Sequence, residues 1–110
     1  MPQKREGQTP VYNVTIDDRA MRKFENAVEF LSRVSESATD NLIHSFLSSL
    51  NQLQEHPTGY AYYTSNEYPD IEMHKILFSR WHRLVFTVAD DAVHVFDVQD
   101  CRQSDEMNLA

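Results

Sequence analysis

Basic, imidazole and aromatic side chains occur close together between residues 74 and 102, in the second half of the chain. An arginine presents a planar fork that fits a phosphate or a carboxylate. A histidine carries a proton at near-neutral pH, and an exposed indole stacks on a nucleobase. These residue types predict a surface that binds an anionic group, although a solvated or ion-paired role is the commoner fate of any one surface cation. The candidate residues are Lys75, Arg80, Trp81, His82, Arg83 and Arg102.

Other kinds of site find little support in the sequence. The five histidines show no paired spacing with cysteine or carboxylates of the kind that holds zinc. The chain has only two glycines, too few for a glycine-rich phosphate loop. Cys101, the single cysteine, has no neighbouring pattern that would lower its pKa, so we expect a small buried or half-buried thiol. We therefore predict no metal and no cofactor.

Composition indicates one folded domain. The chain has 110 residues, of which 41% are hydrophobic and 11% aromatic, enough for a single core and too rich for disorder. No apolar run approaches the roughly 18–20 residues that a bilayer span needs. The N-terminus lacks the basic and apolar stretches of a secretory signal. We expect a cytoplasmic protein with no membrane contact.

The charge balance argues against extended nucleic-acid binding. The formal net charge is -7 and the pI is near 5.0. A protein that grips a phosphate backbone along its length usually carries a basic surplus, because each cation placed on a phosphate releases counterions. Any contact of this chain with nucleic acid must therefore be local.

Two helices are predicted in the first half, each with an apolar stripe at spacings of three and four residues. Asp17 and Asp18 offer an N-cap and a first-turn acid for the first helix. The second helix must end before Pro57. A short polar link at residues 35–39 joins them, so we predict an αα-hairpin. The stripes consist of Ala20, Phe24, Ala27, Val28 and Leu31 in the first helix, and Leu42, Ile43, Phe46, Leu47, Leu50 and Leu53 in the second.

Strands dominate the remainder of the pattern. A short strand at 11–16 precedes the helices, and strands at 73–78, 81–88 and 93–98 follow them. Asp90 and Asp91 mark a tight hairpin turn between the last two strands. The tyrosines at 60, 62 and 63 open either an edge strand or an aromatic loop.

The predicted order is β-α-α-β-β-β, an α+β fold with the helical hairpin packed on one face of a small antiparallel-rich sheet. The opposite face is expected to stay available. In the strand at 81–88, Leu84 and Phe86 point one way and Arg83 the other, so Arg83 is expected on the face away from the helices. The domain should span residues 11–104, with a flexible tail at 1–10 and a frayed end at 105–110.

The segment HKILFSRWHRLVFTVADDAVHVFDVQDCRQS resembles the C-terminal half of RelE/ParE toxins. There, as here, a basic strand leads to a strand of the HRLVFTV type, an acidic turn, an apolar strand and a closing segment with an arginine. The upstream strand–helix–helix order is similar to the same superfamily. The resemblance therefore covers residues 11–104.

This resemblance implies the toxin of a type II toxin–antitoxin module of the plasmid-stabilisation type, whose partner antitoxin wraps and neutralises it. One branch, RelE and YoeB, comprises mRNA interferases that cleave mRNA in the ribosomal A site. The other branch, ParE, is known for inhibiting DNA gyrase. Members form a heterotetramer with the antitoxin or pair with themselves. The expected partners are a cognate antitoxin and, as the target, either ribosome-bound mRNA or gyrase.

The resemblance also implies roles for the candidate residues. Arg83 matches the strand arginine that binds phosphate in the YoeB-type branch. Independently of the resemblance, a histidine can carry a proton near neutral pH, so His82 or His94 is a candidate proton carrier. Arg83 and His82 are the candidate catalytic residues. The ordinary alternative for Arg83 is a solvated arginine or one paired with Asp97 or Asp100 across the sheet. Lys75, Arg80, Trp81 and Arg102 are the candidate target-binding residues, and Arg102 matches the closing arginine of ParE-like members.

The sequence departs from the ribonuclease branch at its end. YoeB-type members finish in a His-Tyr pair, whereas Asp100, Cys101 and Arg102 stand near that position here. RelE relies on clustered lysines and arginines with a tyrosine, and this chain is poor in such a cluster. These departures favour a ParE-like, non-nucleolytic toxin. A ribosome-dependent mRNA endonuclease is the alternative, and a degenerate member that only binds protein is a third.

Overall fold

A computed structural model describes residues 11–102, so the predicted tail at 1–10 and the predicted frayed end at 105–110 lie outside the described residues. Within that range the chain forms two helices and five strands in the order β-α-α-β-β-β-β. The helices are α1 (Asp18–Ser32) and α2 (Glu36–Glu55), and the strands are β1 (Asn13–Ile16), β2 (Ala61–Tyr63), β3 (Met73–Leu77), β4 (His82–Ala89) and β5 (Ala92–Asp100).

All five strands belong to one sheet, in the spatial order β1-β5-β4-β3-β2. β1 pairs parallel with β5, and the other three pairings are antiparallel. The predicted α+β fold with an antiparallel-rich sheet is thus confirmed. The tyrosine segment whose structure the sequence left open is an edge strand, β2, so the sheet has one strand more than the predicted order.

Both helices begin at a side-chain cap. The predicted cap Asp17 accepts a hydrogen bond from the backbone N–H of Arg19 at 3.0 Å. Ser35 does the same for Ala38 at 3.1 Å. Each cap satisfies a backbone donor that the first turn of a helix would otherwise leave without a partner. The link between the two helices lies at residues 33–35 rather than at the predicted 35–39, because Ser35 caps α2 and residues 36–39 already belong to its first turn.

One stripe of each helix packs against the sheet, as predicted. Ala20 and Phe24 of α1 are buried, and so are Leu42, Phe46 and Leu53 of α2. Leu47 is the exception, because it is 53% exposed and lies one position off the inward line that the buried residues define. Among the described residues, neither helix has the length and apolar character that crossing a membrane requires.

Aromatic rings form the centre of the helix-side core. The rings of Phe24 and Phe46 are stacked with centroids 3.8 Å apart. Phe78, just after β3, meets Phe46 edge-on at 5.4 Å. Edge-to-face and offset pairs of this kind add to the free energy of burial. The αα-hairpin is thereby fixed to the sheet at the end where β3 and β4 are joined.

A bulge interrupts the β4–β5 ladder. From the turn as far as the pair Phe86↔Val95, the register is regular. The next residue of β4, Val85, lies opposite Asp97 rather than Phe96, and the shifted register continues through the remaining pairs. Phe96 is therefore an extra residue in β5. The turn itself is the predicted Asp90–Asp91 hairpin, in which Asp90 has a φ of 54°. The bulge lets Val93, Val95 and Val98 all face the helices, although their spacing changes from two to three.

The face away from the helices is partly covered, which corrects the expectation of an available face. Tyr63, Met73 and Val85 form a second buried cluster there, and Tyr68 and Phe96 pack against it. Tyr68 belongs to the loop between β2 and β3, and its ring meets that of Phe96 edge-on at 5.4 Å. This loop is long enough to fold back over β5, so it shields the part of the face that lies nearest to that strand.

We expect Phe46→Ala to lower the free energy of unfolding by about 3–5 kcal/mol, because the substitution leaves a cavity beside the rings of Phe24 and Phe78. The matched control is Leu47→Ala, whose exposed side chain should change the free energy by no more than about 0.5 kcal/mol. Urea denaturation followed by circular dichroism measures both. Equal losses from the two variants would contradict the assignment of this core.

Candidate functional site

Four of the six candidate residues line one cleft on the face away from the helices. This sheet cleft has a volume of about 490 Å³. Arg83 of β4 pairs with Leu77 of β3, and Lys75 lies two residues before Leu77, so these side chains share a face. The turn between β3 and β4 closes one end of the cleft. The lining includes Lys75, Leu77, Arg80, Trp81, Arg83 and Cys101.

The sheet cleft is locally basic although the chain is acidic. Lys75, Arg80 and Arg83 all line it, and none of the described residues along its wall is a carboxylate. The formal net charge of -7 is therefore distributed unevenly. Such a concentration of like charge in a concave surface raises the local concentration of anions.

Arg83 lies where the alternation of β4 predicts, opposite in direction to Leu84 and Phe86, whose side chains enter the helix-side core. Its Nε donates to Oε1 of Gln99 at 2.7 Å. Its guanidinium carbon lies 5.3 Å from the centre of the Tyr63 ring. Arg83 makes at least one further interaction within the protein. Arg83 is thus held in place by neighbours rather than freely solvated.

Trp81 projects from the turn between β3 and β4 and is 42% exposed. The guanidinium carbons of Arg80 and Arg102 lie 5.0 and 5.4 Å from its ring centre. Its backbone carbonyl accepts from the N–H of Cys101 at 2.6 Å, which ties the turn to the end of β5. The indole and two cations form an accessible aromatic–basic surface, of a type that suits either a nucleobase or an acidic protein segment.

His82 points to the other face of β4 and lines a second cleft, of about 430 Å³, between α1 and the sheet. This helix cleft is also lined by Lys23, Asn26, Phe30, Asp100 and Arg102. His82 and Arg83 are therefore separated by the sheet, because neighbouring residues of a strand face opposite ways. Arg102 lies with His82, and its contact with Trp81 connects the two clefts around the end of the sheet.

The pKa of His82 is lowered, first by burial, which disfavours the charged ring, and also by the nearby Arg102 guanidinium; Asp100 opposes this effect. The Ser79 hydroxyl lies 2.9 Å from Nδ1 of the ring. Because Ser79 Oγ already accepts from the N–H groups of Trp81 and His82, its own hydrogen can be donated to Nδ1. This arrangement suits a neutral imidazole.

The guanidinium of Arg102 donates two hydrogen bonds to Asp100, from Nε to Oδ1 at 2.9 Å and from Nη2 to Oδ2 at 2.7 Å. These bonds lower the pKa of Asp100 and raise the pKa of Arg102. Fork-to-fork pairing of this kind fixes the orientation of both groups. The predicted target-binding residue Arg102 thus has an internal partner that sets its position beside Trp81.

The remaining candidates from the sequence lie apart from the sheet cleft or differ from expectation. His94 of β5 shares a 2.9 Å hydrogen bond with Thr15 of β1. Cys101 is exposed, so the expectation of a buried or half-buried thiol was wrong. This residue follows the last residue of β5 and lies outside the strand. Among residues 11–102, no group of three or more potential metal ligands is assembled.

The residues that hold Arg83 in place were not predicted from the sequence. Gln99 lies directly opposite it in the β4–β5 pairing, and Tyr63 comes from the edge strand. The available signal was the change of apolar spacing from Val95 to Val98, which places an additional residue in the strand. Continuing the register of the Asp90–Asp91 turn without that residue would have placed Val98 opposite Arg83.

No protein-family model and no curated protein matches the sequence. Solved structures do match the fold. A chain of the chromosomal ParDE toxin–antitoxin system from P. aeruginosa matches with a TM-score of 0.63 and 11% identity, covering 82% of this chain and 96% of that one. The archaeal RelE–RelB complex from Pyrococcus horikoshii OT3 matches with a TM-score of 0.58 and 11% identity, covering 86% and 99%.

A third structure, the YoeB/ParE toxin from Agrobacterium tumefaciens, matches with a TM-score of 0.51 and 11% identity, covering 80% of this chain and 96% of that one. The chain has the RelE/ParE toxin fold. The matches extend over nearly the whole of each compared chain, so the likeness concerns the complete RelE/ParE domain rather than a shared hairpin. At this identity the likeness establishes the fold alone.

We expect the free energy of unfolding to decrease as the pH falls from 7.5 to 5.5, in part because of His82. Its pKa in the folded chain is below 6.5, so the unfolded chain takes up the proton first and gains stability relative to the folded chain. The contribution of His82 to the free energy of unfolding is fully present above pH 6.5, and it is lost as the pH falls through the lowered pKa of this residue.

Urea denaturation at several pH values measures this dependence. His82→Gln should flatten the decrease, whereas His44→Gln, at an exposed position of α2, should follow the wild type. Parallel curves for the wild type and His82→Gln would exclude a buried neutral His82.

Proposed function

We propose that this chain is the toxin of a type II toxin–antitoxin pair: it arrests growth, and a cognate antitoxin neutralises it. The observation that carries the proposal is the likeness to three structures whose descriptions name ParDE, RelE–RelB and YoeB/ParE, over at least 96% of each compared chain. A fold can serve many activities. The proposal therefore also draws on the basic sheet cleft, which contains Arg83 of the HRLVF segment together with Lys75 and Arg80.

Within this class we propose a ParE-like toxin, directed at DNA gyrase and without nuclease activity. Cleavage of RNA without a metal needs a base and an acid beside the cation that stabilises the phosphate. In the described part of the chain, the residues that line the sheet cleft around Arg83 include no histidine and no carboxylate. His82, the candidate proton carrier, faces the helix cleft instead. A toxin that acts by binding needs no such constellation.

A ribosome-dependent mRNA endonuclease is the second candidate, supported by a specific observation. Lys75, Arg80 and Arg83 share one cleft with the exposed ring of Trp81, and this combination of cations and an aromatic surface suits a phosphate with its neighbouring base. The acidic net charge does not oppose a contact of such limited extent.

Induction of the protein in a bacterial host should stop growth, and coexpression of its cognate antitoxin should restore growth. We expect Arg83→Ala to weaken or abolish the arrest while the purified variant keeps its helical circular dichroism spectrum. Arg33→Ala is the matched control, because Arg33 is an exposed arginine at the end of α1 that pairs with Glu29, and it should remain fully toxic. Equal toxicity of Arg83→Ala and the wild type would exclude Arg83 from the working surface.

The target is decided by two measurements after induction. A gyrase-directed toxin should inhibit supercoiling by purified gyrase in proportion to its concentration, and mRNA recovered from arrested cells should carry no new cuts in the ribosomal A site. Cuts in the A site with unaffected supercoiling would replace the ParE-like proposal by the endonuclease. Normal growth under full induction would favour a degenerate member that only binds protein.

A further inference from the structure

Gln99 is a buried polar residue at the centre of the hydrogen-bond network on the face away from the helices. Its exposed fraction is 0%. Its Oε1 accepts from Arg83 Nε at 2.7 Å. Its Nε2 donates to the Tyr63 hydroxyl at 2.9 Å and to Asp97 Oδ2 at 3.2 Å. The side-chain amide thus uses its acceptor and both of its donor hydrogens within the protein.

The charges around this amide determine which way it points. The carbonyl end meets a guanidinium, and the NH₂ end meets a carboxylate. A flipped amide would place N–H groups against Arg83 and the oxygen against Asp97, so it would lose both bonds and bring like partial charges together. A single orientation of Gln99 is therefore strongly favoured.

Asp97 is itself fixed. It is 0% exposed, and its Oδ1 accepts from the backbone N–H of Val98 at 2.9 Å and from Lys23 Nζ at 3.0 Å. β1 pairs with β5 only as far as Val95, so the next part of β5 has no strand on that side and Lys23 of α1 can contact Asp97 there. A buried carboxylate persists only when it is paired and hydrogen-bonded. Asp97 satisfies both conditions.

Two of the contacts of Arg83 restrict the orientation of its guanidinium. Gln99 binds its Nε edge, and the Tyr63 ring lies against it at 5.3 Å. The Tyr63 hydroxyl is bound to the same Gln99 amide. The group that faces the sheet cleft is therefore held by a connected set of side chains from α1, β2 and β5.

We propose that Gln99 is a positioning residue, whose buried amide orients the Arg83 guanidinium for contact with an anionic group of the cellular target. This inference rests on the proposed function, because it assigns the working surface to the sheet cleft. It adds a residue that never touches the target itself. An arginine ordered beforehand loses less side-chain entropy on binding, which corresponds to about a 2- to 12-fold gain in affinity.

The first test measures the hydrogen bond in the purified full-length chain. Solvent exchange of the Arg83 Nε–H is followed by nitrogen-15 NMR, with the signal assigned by its loss in Arg83→Lys. We expect slow exchange in the wild type and an acceleration of about 10- to 100-fold in Gln99→Leu, the range for one hydrogen bond to a charged group. Gln52→Leu, at an exposed glutamine of α2, is the matched control and should leave the exchange unchanged.

A second variant, Tyr63→Phe, tests the same network if Gln99→Leu fails to fold. It removes only the hydroxyl that accepts from Gln99 and retains the ring beside Arg83. It should accelerate the exchange to a smaller degree. A rescue variant combines Asp97→Asn with Gln99→Glu, which moves the carboxylate by two residues and keeps an acceptor for Arg83. It should restore slow exchange.

The second test measures growth arrest at graded induction with the same variants. Gln99→Leu should require about a 2- to 12-fold higher level of protein than the wild type for equal arrest, and the rescue variant should approach the wild type. Unchanged Nε–H exchange in both Gln99→Leu and Tyr63→Phe would overturn the inference. Accelerated exchange with undiminished growth arrest would overturn it as well, since the orientation of Arg83 would then have no consequence. If the wild type fails to arrest growth, the proposed function falls, while the exchange measurement still decides whether Gln99 holds Arg83.

Discussion

The bulge at Phe96 in β5 determines what lies on each face of the sheet. With strict alternation after Val95, Asp97 would point into the helix-side core and Val98 away from it. The extra residue reverses both positions, so that Val98 packs with Leu84 and the helices while Asp97 joins the opposite face. Burial of a carboxylate among aromatic rings would be strongly unfavourable. The same shift places Gln99 beside Arg83, and the polar network therefore depends on how the core is packed.

The two faces of the sheet consequently differ in their chemistry. The helix-side face is apolar and is covered by the aromatic rings of α1 and α2. Its polar residues, His82 and Asp100, line the helix cleft at one end of this face. The other face carries Arg83 and Lys75 in the sheet cleft, next to a part covered by the loop between β2 and β3. An acidic chain thus presents a small basic surface, which favours one defined anionic partner over long contact with a polyanion.

The fold leaves part of one face of the sheet accessible. Helices α1 and α2 pack on the other face, so the side chains that line the sheet cleft come mainly from β3, from β4 and from the turn between them. In this chain β4 provides a well-oriented cation, Arg83, and directs the adjacent histidine, His82, to the opposite side of the sheet. This combination underlies the proposal that the chain acts by binding, since proton transfer at a phosphate requires acid–base groups next to the cation.

The sequence alone determined most of the elements and their order: the apolar stripes predicted both helices, Asp17 the start of the first, and Asp90–Asp91 the hairpin turn. Strand alternation was sufficient to place Arg83 on the face away from the helices. These features follow from backbone geometry over a few residues, which a local pattern records. The partners of Arg83, and the side chains that hold those partners in place, were decided only by the tertiary structure. Tyr63, Lys23 and Gln99 come from distant segments, and they meet because packing of Val98 against the helices favours a bulge that shifts the register by one residue.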